Sequence, residues 1–163
     1  MKMKTKTRSR INLPIAALVL TAALATPAAA QQHVPFKGTF QGSDAVNPPI
    51  ITTSGTGLGT LMGAFSLNQV LPVTTSMGTA RWVAANGDRI DSSFAASADF
   101  STAGDGYVTV TETHTVTGGT GRFVGVQGSF VLVRTHLTAP SADGTHVTYG
   151  TYQGSITPPG ASQ

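Results

Sequence analysis

The sequence predicts an all-β fold, a single antiparallel eight-stranded β-barrel behind an export signal, and three observations support it. After residue 30 no stretch holds the apolar period of a helix, whereas several segments alternate with period two and are rich in Thr, Val and aromatic residues. Those segments are punctuated by residues that tolerate positive φ: Asn86-Gly87, Asp105-Gly106, Gly118-Gly119 and Asp143-Gly144. Finally, GTFQGS at 38–43 returns as GTYQGS at 150–155, so the first and last strands are built alike and can lie together to close a barrel.

The export signal comes first in the chain. MKMKTKTRSR carries five basic side chains and no acid, the run 11–25 is apolar apart from Asn12 and Thr21, and Ala28, Ala29 and Ala30 supply the small residues of a cleavage site. A signal peptide over 1–30 and a barrel domain over 31–163 follow, with the product secreted or periplasmic. The apolar run is too short for a membrane span and contains Pro14, so no span is expected after processing. Removing the leader reverses the charge. Lys37, Arg81, Arg89, Arg122 and Arg134 stand against Asp44, Asp88, Asp91, Asp99, Asp105, Glu112 and Asp143, five against seven, or about −2, which argues against a nucleic-acid partner. With no cysteine, no disulfide framework is possible, and the domain must be held by its own core.

Strands are expected near 34–42, 50–54, 57–72, 77–86, 89–100, 106–117, 125–137 and 145–157, with Asn47-Pro48-Pro49 breaking an early connection. Ile90, Ser92, Phe94, Ala96, Ala98 and Phe100 form the inward set of the fifth. The glycine clusters SGTGLGT at 54–60 and GGTG at 118–121 have neither a dinucleotide fingerprint nor a Walker lysine and are read as turns and kinks.

The segment THTVTGGTGRFVGVQGSF, residues 113–130, resembles the corresponding hairpin of the allene oxide cyclase and dirigent-like barrel superfamily, with its GG-[TS]-G-x-[FY] turn. The resemblance extends loosely from Phe36 to Ile156 and is closest to exported bacterial members. It implies an eight-stranded antiparallel barrel of the allene oxide cyclase-like type whose lumen accepts an apolar small molecule. Family activities range from cyclisation of reactive lipids to the steering of radical coupling. No family catalytic residue falls on the matching stretch, and none is carried over.

The most informative strand is Tyr107 to Thr117. Its odd positions bear hydroxyls, while its even positions read Val108, Val110, Glu112, His114 and Val116, which puts a carboxylate and an imidazole two residues apart on the buried face. With Val116 opposite Val126, His114 faces Gly128, Glu112 faces Phe130, and the inward set runs on through Leu132 to Arg134 and His136. A polar spot inside an apolar lumen is how small-molecule pockets are commonly built. Glu112 and His114 are therefore the candidate catalytic pair, and Trp82, Phe130, Arg134 and Tyr152 the candidate ligand contacts. The bland alternative is that Glu112 and His114 satisfy each other or Arg134. His136 lies too far along for a metal set with that pair, and neither metal nor cofactor is expected. A serine hydrolase lacks its G-x-S-x-G elbow, and a glycosidase needs two carboxylates flanking a sugar, whereas Glu112 is the only glutamate and most aspartates fall at turns or on polar faces. Three functions remain open: a module binding a small apolar or aromatic molecule, a cofactorless cyclase or isomerase acting on a lipid-like or polyketide-like substrate, and a non-catalytic envelope or extracellular structural protein.

Overall fold

A computed structural model of the chain describes residues 32–160; the export signal expected over 1–30 lies outside them. Eight strands follow one another: β1 (Val34–Asn47), β2 (Ile50–Gly59), β3 (Gly63–Pro72), β4 (Met77–Ala84), β5 (Arg89–Asp99), β6 (Tyr107–Thr120), β7 (Gly128–Pro140) and β8 (His146–Ile156). Each pairs antiparallel with its neighbour, and β8 pairs with β1 to close the barrel. Closure joins the two look-alike segments, with Gly38 opposite Tyr152 and Phe40 opposite Gly150, so each strand sets an aromatic ring against the other's glycine. No helix among the described residues is long and apolar enough to cross a membrane.

The first hairpins differ from the sequence reading. No break occurs at residues 55–56; β2 runs through the glycine cluster to Gly59, and the chain turns at Thr60-Leu61-Met62, where Leu61 takes φ 65°. Gly55 and Gly57 are needed for room, since a Cβ on either would collide with the rings of Phe40 and Phe65 respectively. At the far end of β5, Ala98 and Phe100 are exposed, because the strand stops at Asp99 on the barrel rim. The 113–130 hairpin also shifts. A one-turn 3₁₀ helix at Gly121–Phe123 buries Phe123 under the barrel and delays β7 to Gly128, which brings His114 opposite Phe130 and Glu112 opposite Leu132. The parity of the sequence register survives and its offset moves by two residues.

Three layers fill the interior. The lower end, where β2 meets β3 and β4 meets β5, is packed solid with Phe36, Phe65, Trp82, Phe130 and Tyr152, whose rings meet mostly edge to face at 4.9–6.5 Å between centroids. Above them lies a belt of buried polar side chains, Asp44, Thr53, Gln69, Ser92, Glu112, His114, Arg134 and Thr148, drawn from seven of the eight strands. Above the belt the barrel opens into a cup.

Candidate functional site

The belt is a single hydrogen-bonded chain. Trp82 Nε1 donates to Ser92 Oγ at 3.2 Å, Ser92 meets His114 Nδ1 at 3.0 Å, and His114 Nε2 meets Glu112 Oε2 at 3.1 Å. Because Ser92 accepts from the indole, its own hydrogen is free for Nδ1. Neutral His114 then carries its proton on Nε2, toward the carboxylate. Glu112 Oε2 also accepts from Gln69 Nε2 at 2.7 Å, and Oε1 from Arg134 Nε at 2.8 Å. Arg134 Nη1 continues to Asp44 Oδ2 at 2.6 Å and Thr148 Oγ1 at 2.9 Å, while Asp44 takes further hydrogen bonds from Thr53 Oγ1 and His136 Nδ1.

Alternation along β6 places Glu112 and His114 inward, and the rings of Phe94 and Phe130 hold the imidazole between them at 4.8 and 4.6 Å. Burial alone would raise the Glu112 carboxyl; the His114 hydrogen bond and the Arg134 charge override it and hold Glu112 below its ordinary value. Asp44 behaves alike, its burial outweighed by His136, Arg134 and Thr53. For Arg134, desolvation is outweighed by the two carboxylates, which raise it further and keep it charged. The belt thus holds two carboxylates around one guanidinium, an arrangement that offsets desolvation only while every partner stays in place.

Ser92, His114 and Glu112 contain the side chains of a hydrolytic triad. They cannot work as one in this closed form, because all three are buried, Ser92 is engaged by Trp82, and none lines the cup above the belt. Of the six residues singled out from sequence, Glu112, His114, Trp82 and Arg134 share the belt network, and Phe130 stacks on it. Tyr152 sits apart: its ring joins the aromatic layer, but its hydroxyl has no hydrogen-bond partner, and burial pushes the phenol well above its ordinary value.

Arg134 is also the only one of the six that lines the cup. This cavity measures about 740 Å³; Leu71, Ala96, Val108 and Val110 form apolar wall, and Asp44, Arg134 and His136 the polar floor. Asp44 and His136 were not selected from sequence. Asp44 sits ninety positions before Arg134, beyond the expected end of the first strand, and only its inward alternation with Phe36 and Phe40 could have suggested it. A register shift in β7 between His136 and Pro140 folds His136 against His146, with rings stacked at 4.9 Å, and His146 Nδ1 donates to Leu137 O at 2.9 Å. No group of three metal-ligating side chains is gathered among the described residues.

No family model, curated protein or solved structure matches the chain. The architecture established is the closed eight-stranded antiparallel barrel. A larger hollow of about 910 Å³ lies on the outer face beside Gly57 and Gly150, among Thr39, Gln41, Leu58 and Tyr149, and no charged side chain lines it. Of these two hollows, the cup combines apolar walls with convergent charged groups, the composition expected of a small-molecule site.

Proposed function

We propose that this protein is an exported binding module of the allene oxide cyclase-like kind that holds a small, mainly apolar molecule in the cup. The observation that carries the reading is the cup itself: about 740 Å³ with apolar walls and a floor at which Arg134, Asp44 and His136 converge. That volume falls within the usual few hundred to about 1,000 Å³ of ligand pockets. A cyclase or isomerase using Glu112 as a proton carrier has less support, because Arg134 reaches the cup and Glu112 does not. A purely structural role would suit the packed lower half but gives no reason for an open upper one.

The test is Nile red, a neutral apolar dye, titrated into the wild-type protein and into Ala98→Trp. Ala98 lines the cup and is exposed, so an indole there takes up part of the cavity without disturbing the belt. The wild type should enhance the dye's fluorescence and the variant should do so more weakly. Equal enhancement in both, or none in the wild type, overturns the reading. Native mass spectrometry of protein purified from its own host then identifies the retained molecule.

A further inference from the structure

The belt spends its hydrogen-bonding capacity unevenly: Gln69 Oε1 is sealed without a partner, whereas Arg134 keeps capacity toward the cup. Arg134 carries five N–H donors. Nε is engaged by Glu112, and Nη1 by Asp44 and Thr148; Nη2 has no acceptor among the described residues, nor is it one of the sealed polar atoms. Since Arg134 lines the cup, its unused N–H groups are a donor pair at the cup floor. The two histidines of the same wall present the opposite polarity. His136 gives its Nδ1 hydrogen to Asp44 and His146 gives its own to the Leu137 carbonyl, so each neutral ring keeps a lone pair on Nε2.

Charge decides which acceptor suits that donor. Asp44 and Glu112 contribute two negative charges and Arg134 one positive, leaving the floor at about −1 with neutral histidines. A ligand carboxylate would be a third buried anion around one guanidinium, close to two imidazole lone pairs, and its desolvation would go uncompensated. A neutral carbonyl oxygen accepts from Nη2 without adding charge.

We infer that the cup selects neutral carbonyl compounds with an apolar body, such as ketones, esters or lactones, bound with the carbonyl oxygen on Arg134 Nη2, and that it discriminates against the corresponding acids. This inference rests on the reading of the cup as a ligand site.

Three probes of nearly the same shape test it: naphthyl methyl ketone, ethylnaphthalene and naphthoate. Each is titrated calorimetrically into the wild-type protein in mildly alkaline buffer, with Ala98→Trp as the narrowed-cup control. The ketone should bind about tenfold more tightly than the hydrocarbon, as expected for a hydrogen bond from a charged donor, and more tightly than the acid. If the hydrocarbon equals the ketone, or the acid binds best, while Ala98→Trp still weakens binding, the carbonyl selectivity is wrong and the cup remains a site. If none of the three binds the wild type, or if Ala98→Trp binds them as well as it does, the cup reading fails and the inference falls with it.

Discussion

Arg134 Nε and Glu112 Oε1 meet at 2.8 Å with both side chains almost completely closed to solvent. Glu112 is an acceptor facing three donors, from Gln69, His114 and Arg134, and its ionised form satisfies all of them. Glu112→Gln keeps the shape but turns an NH₂ toward at least one of those donors and leaves Arg134 with Asp44 as its only counter-charge. Removing one partner of a buried ion pair typically costs about 3–5 kcal/mol. Urea unfolding followed by Trp82 fluorescence should show a loss of that size. A loss below about 1 kcal/mol would mean that the belt tolerates an unmatched donor.

The same depressed carboxyls predict an acid limit. Asp44 and Glu112 titrate lower in the fold than in the unfolded chain, so on acidification the unfolded chain takes up protons first. Their stabilisation is fully present above the unfolded carboxylate range, about pH 4–5, and is lost as pH falls through the folded values. The thermal midpoint should be level above about pH 5 and fall steeply below about pH 4. In Asp44→Asn the fall should be shallower, although the starting stability is lower.

Tyr152 supplies a prediction of opposite sign. Its buried hydroxyl makes no hydrogen bond, and an unsatisfied buried donor typically costs about 1–3 kcal/mol. Tyr152→Phe removes the hydroxyl and retains the ring contacts with Phe36, Phe65 and Trp82. The variant should be at least as stable as the wild type, with a gain of up to about 1 kcal/mol. Destabilisation in thermal unfolding would show that the hydroxyl has a stabilising partner.

Two glycines separate steric need from loop habit. Gly57→Ala drives a methyl into the Phe65 ring and the Thr39 backbone and should cost about 1–3 kcal/mol. Gly118→Ala meets nothing within 4 Å and should change stability by less than about 0.5 kcal/mol. Equal costs in chemical denaturation would remove the close-packing explanation for the glycine cluster.

Those glycines also mark how far the sequence could be read. Barrel closure was legible because the ring and glycine positions of residues 38–43 and 150–155 match. The inward placement of Glu112 and His114 was legible because β6 alternates without a break from Val108 to Val116. The glycines of SGTGLGT looked like a turn because glycine at a turn and glycine beneath a ring are indistinguishable in one dimension, and the actual turn uses Leu61, which carries no turn signal. The offset of His114 against Phe130 depended on the 3₁₀ turn at Gly121–Phe123, whose length alternation does not encode. The contacts of Asp44 with His136 and Arg134 were not legible because they join β1 to β7 past the intervening β8, two unpaired strands some ninety positions apart.

The belt of Asp44, Glu112 and Arg134 divides the barrel into two compartments with separate duties. The interlocked rings lie beneath it and tolerate little change, whereas the side chains above it border open space. Ala98, Val108 and Val110 line the cup outside the packed cluster and can therefore be exchanged for differently shaped residues while the foundation stays intact. Such a scaffold lends itself to retailoring: a new guest can be fitted by altering the upper wall alone.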